Sequence, residues 1–257
     1  MAPVTAPGMK TVVVTGASRG LGLELARAYI DDRVKEENYA PRWRVVAVHR
    51  QHTDVIDGPE GFVRTRGIDV SEPDASNALG IVLAQYAPVD VLINNAAVCI
   101  GRECAVGNVD YGAWTRSFET NVMGAMRVLE AALPHLARDA VVVNVSGRMG
   151  SIGRVMAGLG ASSATTQDVV YRTTKAALNM MTVCAAAEFK AKDETRDVKV
   201  VAVDPGWMNT DMGSRGGTVT APLDPSESAA GIVALIAGLK PEDSGKFLNW
   251  RGEESPW

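Results

Sequence analysis

Residues 11–22 read TVVVTGASRGLG, and the reading of the fold turns on them. Thr11 to Gly16 is a short β-branched run, too short for a helix and bounded by glycine, so it reads as a buried strand. The chain then switches to helical spacing in LGLELARAYIDDRVKEE, with Leu21, Leu25 and Ala28 on one side. Gly16, Gly20 and Gly22 lie at the junction. Glycines there permit a tight turn, a backbone that approaches a phosphate, and a helix packed close on its strand, while the helix N-terminus favours an anion. Taken alone, such a loop is also compatible with a turn that holds no ligand. As the first strand-to-helix junction of a repeating pattern, it points to binding.

The pattern does repeat. RVVAVH is a second strand and FVRTRGIDV a third; SEPDASNALGIVLAQYA is a helix with Ser71 as expected N-cap and Glu72 and Asp74 in its first turn. VDVLINNAA is a fourth strand and WTRSFETNVMGAMRVLEAALPHL helical. AVVVNVS is a fifth strand, YRTTKAALNMMTVCAAAEFKA a long helix, VKVVAVDPG a sixth strand, PSESAAGIVALIAGL a last helix, and GKFLNW a short strand. Strands that are apolar on both faces and alternate with helices predict an α/β fold: a single-domain, Rossmann-type, doubly wound parallel sheet over residues 1–257, with 1–9 flexible. The long irregular stretch, Ser146 to Asp168, is rich in Gly, Ser and Thr, as functional loops often are.

Composition narrows the function classes. The 257 residues are 46% hydrophobic and carry a formal net charge of -4, which gives no general attraction for nucleic acid or an anionic membrane. The N-terminal MAPVTAPGMK has neither a charged nor an apolar region of signal-peptide type, and no apolar run is long enough to span a bilayer; a cytoplasmic protein is expected. Cys99, Cys104 and Cys184 show no disulfide spacing and read as free thiols. His49, His52 and His135 are scattered, so no metal site is expected.

With these motifs in hand, the sequence resembles the short-chain dehydrogenase/reductase family almost end to end. TGASRGLG has that family's TGxxxGxG spacing. Further matches are Asp69 in IDV, NNAA at Asn94 to Ala97, Asn121 in ETNVMGAM, YRTTK at Tyr171 to Lys175, and DPGWMNTDM at Asp204 to Met212. YRTTKAALN and PGWMNTDM look particularly like the carbonyl-reductase branch that includes the sniffer proteins. The resemblance implies a dinucleotide site built from Gly16, Ser18, Arg19, Gly20, Leu21 and Gly22, with Asp69 bonding the adenine beside Val70. Asn95 and Ala96 would lie along the adenine ribose, and Thr210 and Met212, after Pro205 and Gly206, would meet the nicotinamide. Ala97 stands where the family commonly has glycine. The family's habit also implies a homodimer or homotetramer.

The family holds the NAD ribose with an acid at the end of the second strand. Here that strand ends AVHR, so His49 occupies the acid's place and Arg50 follows. With Arg19 in the glycine loop, two guanidiniums are available to a phosphate and no carboxylate repels it, which favours NADP(H). The bland alternative is that both arginines are solvated surface charges.

Tyr171 and Lys175 are four residues apart, so they share one helix face. A phenol with an ordinary pKa of about 10 is a poor acid-base at neutral pH, and a neighbouring ammonium lowers that value. By resemblance, Tyr171 donates a proton to a carbonyl oxygen, Lys175 also holds the nicotinamide ribose, and Asn121 anchors a water linking Lys175 to solvent.

One expected residue is missing. In the family the catalytic serine is the third residue after the Asn of the fifth strand, and counting from Asn144 places Gly147 there. The serine's donor stabilises developing charge, so its loss costs on the order of 10²-fold in rate. Three readings stay open: Ser146 substitutes after a local shift, although strand alternation opposes this; Ser151 reaches in from the loop; or no serine serves. Ser146 ranks narrowly first. The gap from Gly147 to Tyr171 is about double the family's usual one, so the segment around Gly153 to Asp168 is expected to border the substrate pocket and hinder the usual helix-to-helix dimer. The first functional reading is an NADPH-dependent reductase of a small-molecule ketone or aldehyde. A low-turnover NADP(H) binder and a non-redox enzyme of dehydratase or cyclase type are the alternatives that Gly147 keeps open.

Overall fold

The computed structural model describes residues 8–31, 43–50, 62–158, 168–195 and 197–257. Its strands, β1 (Lys10–Thr15), β2 (Trp43–His49), β3 (Phe62–Arg66), β4 (Val89–Asn94), β5 (Leu136–Val145), β6 (Lys199–Asp204) and β7 (Phe247–Asn249), form one sheet in the order β3-β2-β1-β4-β5-β6-β7. Every pairing is parallel. Among the described residues the α-helices are α1 (Gly20–Asp31), α2 (Ala75–Leu83), α3 (Tyr111–Phe118), α4 (Gly124–Ala132), α5 (Ile152–Met156), α6 (Val169–Ala191) and α7 (Pro225–Gly238).

Strand alternation sorts the core into two layers. Val12, Val14, Val91, Ile93, Val143 and Val203 pack with Leu25, Tyr29 and Ile232 of α1 and α7. Val13, Val46, Leu92 and Val142 pack on the other face with Leu79, Leu83, Leu129 and Phe189 of α2, α4 and α6. Helices on both faces of a parallel sheet are the doubly wound arrangement expected from the sequence. The strand order reverses between β1 and β4, so a crevice opens beyond their C-terminal ends, beside the glycine loop.

A buried polar chain fixes where the second layer sits. Asn94 Nδ2 donates to Asn144 Oδ1 (2.9 Å) and to the carbonyl of Ala125 in α4 (3.2 Å). Asn144 Nδ2 in turn donates to Thr182 Oγ1 (2.9 Å), whose hydroxyl donates to the Leu178 carbonyl in α6 (2.8 Å). Buried amides need such partners, so the chain ties β4, β5, α4 and α6 into one register.

Three local expectations need correction. Ser71 does not cap α2: its amide and hydroxyl bond Asp69 Oδ1, and the helix begins later, with Asp74 at the N-cap position. β3 stops at Arg66, leaving Ile68 to Val70 in the loop. The stretch after β5 is not wholly irregular, because Ser151 caps the short α5 by accepting from Arg154 N (3.0 Å). Residues 159–167 of the extra segment, and residues 1–7 of the expected flexible start, lie outside the described residues.

Asn144→Ala removes an acceptor from the buried Asn94 amide and a donor from the Thr182 hydroxyl. Urea denaturation should register a loss of about 1–3 kcal/mol, and adding Thr182→Val should recover part of it because fewer buried groups are then left unpaired.

Candidate active site

The crevice is framed by four strand ends. At β1, Gly16 (φ +67°) and Gly20 (φ +55°) adopt the left-handed conformation that side chains disfavour. A Cβ on Gly22 would come within 2.3 Å of the Gly16 carbonyl oxygen, so α1 packs on the loop as only glycine allows. Leu21 is buried beneath the turn, and Ser18 is half-buried on it. Across the switch point, Thr15 Oγ1 accepts from both Asn95 N and Ala96 N (3.0 Å each), and Asn95 Nδ2 donates to the Thr15 carbonyl (2.8 Å). Asn95 therefore pins β4 to β1, and Ala97 follows, half-buried.

The two arginines expected near a phosphate point to different places. Arg50 Nη1 lies 3.6 Å from Asp69 Oδ2 at the ends of β2 and β3. Burial raises the Asp69 pKa, but bonds from Ser71 and the charge of Arg50 outweigh it and hold the carboxyl below its ordinary value. Arg19 instead pairs with Asp211 at 2.8 Å, which ties the glycine loop to the loop after β6. Both Arg19 and Asp211 are largely exposed. Val70 is buried, and its carbonyl accepts from Arg127 (3.3 Å). Gly206 (φ +82°) turns the chain after Pro205, whose carbonyl accepts from Ser228 Oγ (2.7 Å); Thr210 then lies against Gly20.

Lys175 is 2% exposed, and its ammonium donates to the Val145 carbonyl at 2.7 Å. The same Nζ lies 5.6 Å from the centre of the Tyr171 ring. The four-residue spacing on α6 thus brings the phenol and the ammonium together at the end of β5. Burial lowers the Lys175 pKa to about 8, with Cys99 opposing slightly. Burial also pushes the Tyr171 phenol well above its ordinary value; Cys99, Asp204 and Asp168 add to this, and Arg102 opposes it. The sequence-based expectation of a lowered phenol is therefore reversed in the chain alone.

Asn121 sits in a π-helical turn, Glu119–Met123, between α3 and α4, a break in helix geometry that frequently marks functional sites. Its Oδ1 accepts from Val98 N (2.8 Å), and its Nδ2 donates to the Val98 carbonyl (2.9 Å) and to Thr174 Oγ1 (3.0 Å). It so joins the loop after β4 to the residue beside Lys175.

The serine question has a geometric answer. Ser146 is buried on the α6 side of β5, like Asn144, and its hydroxyl donates to Asn179 Oδ1 at 2.6 Å. This corrects the expectation that Ser146 supplies the missing donor. Ser151 donates to the Pro256 carbonyl at 2.6 Å while capping α5. A Cβ placed on Gly147 meets no atom within 4 Å, so that place is open space.

Sequence reasoning missed three charged neighbours of Tyr171. Asp168, buried one turn before it, pairs with Arg215 (3.6 Å); Asp204, at the end of β6, pairs with Arg148 (3.3 Å). Arg102 Nη2 donates to the Met212 carbonyl (2.7 Å). Only Asp204 carried a signal, as the first residue of DPG. Among the described residues, no group of acidic, His and Cys side chains could hold a metal, and no helix is long and apolar enough to cross a membrane.

The family described as short chain dehydrogenase matches residues 10–218. The chain is 40% identical over 172 residues to C-signal of Myxococcus xanthus, covering 66% of this chain and 93% of that protein. It is 30% identical over 254 residues to 1-hydroxy-2-glutathionyl-2-methyl-3-butene dehydrogenase of Rhodococcus sp. strain AD45, covering 97% and 100%. Carbonyl reductase Sniffer of D. melanogaster superposes with a TM-score of 0.79 at 24% identity, over 97% of this chain and 100% of that one. The NADPH-bound carbonyl reductase from chicken fatty liver does so with a TM-score of 0.76 at 27% identity, over 97% and 99%. The chain belongs to the short-chain dehydrogenase family and is an oxidoreductase of that family.

The Lys175 shift has a testable sign. In the unfolded chain its pKa returns to 10.5, so between about pH 8 and 10.5 the unfolded state binds the extra proton and this residue's contribution to stability rises with pH. Nζ-detected NMR on the chain without cofactor should show one lysine titrating near pH 8 that disappears in Lys175→Met. A midpoint above 10 for every lysine would contradict the buried setting.

Proposed function

We propose that this chain is an NADPH-dependent carbonyl reductase that converts a ketone or aldehyde to an alcohol. The observation that carries the reading is the meeting of Tyr171, Lys175 and the Asn121 amide at the sheet's C-terminal edge, beside a glycine cradle that a single Cβ would fill.

The cradle fits a dinucleotide. Gly16, Ser18, Gly20, Leu21 and Gly22 would take the pyrophosphate at the start of α1, and Asp69, Val70, Asn95, Ala96 and Ala97 the adenosine side. Pro205, Gly206, Thr210 and Met212 would border the nicotinamide. Arg50, whose only ion pair among the described residues is the loose one to Asp69, is suited to a 2′-phosphate. Arg19 joins it once released from Asp211. When bound, the reduced nicotinamide supplies a hydride to the carbonyl carbon.

The chain's own residues manage the proton. Burial keeps the Tyr171 phenol protonated but makes it a weaker acid, and the Lys175 ammonium beside its ring is the group that favours release of the proton to the carbonyl oxygen. With a pKa near 8, Lys175 is poised to return that proton to Tyr171 close to physiological pH. Asn121 holds the loop backbone at Val98, so that the path from Lys175 toward solvent keeps its shape.

Gly147 favours one alternative: a chain that binds NADP(H) and turns over slowly, since neither Ser146 nor Ser151 is free to replace the lost donor. Both readings are separated by following NADPH oxidation with a panel of aldehydes, ketones and quinones. The reductase reading expects turnover in the natural chain, its loss in Tyr171→Phe, and a gain of up to roughly 10- to 100-fold in Gly147→Ser, because a serine there meets no neighbouring atom and supplies an oxyanion donor once the backbone relaxes from φ +159°. NADPH binding without turnover until serine is introduced would favour the slow binder.

A further inference from the structure

The loop that leaves β4 crosses the site and carries an arginine whose charge nothing in the described chain answers. Asn121 holds the loop's start at Val98, and its far end is stitched to the first turn of α6: Asp168 N donates to the Arg102 carbonyl (3.1 Å) and Val169 N to that of Cys104 (3.4 Å). The Arg102 side chain then reaches over to the loop after β6, where it bonds Met212. It spans from the turn before Tyr171 to the residue expected at the nicotinamide end.

We propose that Arg102 binds an anionic group of the substrate, so that the preferred substrates are carbonyl compounds bearing a carboxylate. This rests on the reductase reading given above. A guanidinium has five N–H donors in a rigid planar fork, and Arg102 uses one of them, on a neutral carbonyl. Among the described residues it forms no ion pair, whereas the two buried aspartates near Tyr171 each have an arginine of their own, Asp168 with Arg215 and Asp204 with Arg148. Arg102 also lines a cavity of about 520 Å³ with Cys99 and Ile100. Two carboxylates share that lining: Asp110 is engaged as the N-cap of α3, accepting from Ala113 N, and Glu103 is exposed and unpaired with Arg102.

A half-buried guanidinium with free donors is matched by the two oxygens of a carboxylate. Arg102 is held through its backbone to Asp168, three residues before Tyr171, and through its side chain to Met212, so an anion bound to it lies between the first turn of α6 and the loop after β6.

The test compares 4-formylbenzoate with its neutral methyl ester, each with NADPH, in the natural chain, Arg102→Gln and Arg102→Lys. The expected result is a kcat/KM ratio of acid to ester of about tenfold or more in the natural chain. That ratio should fall to near one in Arg102→Gln and recover in part in Arg102→Lys, with thermal melting to verify that each variant folds. An equal ratio in the natural chain, or a preference that survives Arg102→Gln, overturns the proposal. Calorimetric binding of 4-(hydroxymethyl)benzoate and of its methyl ester gives the same comparison without turnover. If neither aldehyde is reduced, the reductase reading falls, and the calorimetry still decides the anion site: tighter binding of the acid that Arg102→Gln abolishes supports it, and equal binding overturns it.

Discussion

An ammonium inside a protein needs a partner, and Lys175 finds it in the last carbonyl of β5. That bond sets the distance between α6 and the sheet. Gly150 makes the same contact close: a Cβ there would come within 2.7 Å of the Lys175 backbone, so helix and loop meet backbone to backbone. With Lys175 fixed, Tyr171 one turn earlier must stand at the sheet's C-terminal edge. The chain of Asn94, Asn144 and Thr182 holds the same helix lower down, which leaves α6 little freedom to slide. The placement of Tyr171 and Lys175 is therefore a property of the core.

The electrostatics follow from how deeply the pair is set. Burial raises the phenol and lowers the ammonium, so each is driven toward its neutral form. In the reduction we propose, the Tyr171 phenol starts with its proton in place and Lys175 titrates at about 8 behind it. The surrounding charges are arranged in pairs, with Arg215 on Asp168 and Arg148 on Asp204, which limits the cost of burying two carboxylates beside the site. Gly147 stands out in this setting as an open space where the frame supplies no donor.

Much of the architecture was legible in the sequence because alternating apolar strands and amphipathic helices leave a strong periodic trace. Val12 and Val14 facing one layer and Val13 the other is simple strand alternation, and TGASRGLG marked where the order reverses. Tyr171 and Lys175 were legible through the resemblance carried by YRTTK; one helical turn puts them on the same face but does not by itself mark a site. Contacts between distant residues left no such trace. Nothing local says that Arg19 bonds Asp211, 192 positions away, or that Arg102 reaches Met212. Ser71 illustrates a different limit: serine before an apolar run suits an N-cap, but Asp69 offered its hydroxyl and amide a nearer partner. Ser146 stands next to the expected position, but its strand face commits its hydroxyl to Asn179. The direction of the Tyr171 shift depends on burial, which a sequence reports only indirectly.

The central claim is that this frame carries out reduction with Tyr171 as the proton donor although the serine place is empty. Its most direct test is a single turnover with NADPH deuterated at both C4 positions of the nicotinamide and an aldehyde the chain accepts, with the alcohol read by mass spectrometry. The account predicts one deuterium on the carbinol carbon, and none when Tyr171→Phe is used under the same conditions. Full occupancy by the deuterated cofactor with no labelled alcohol formed, or equal labelling in Tyr171→Phe, would contradict it.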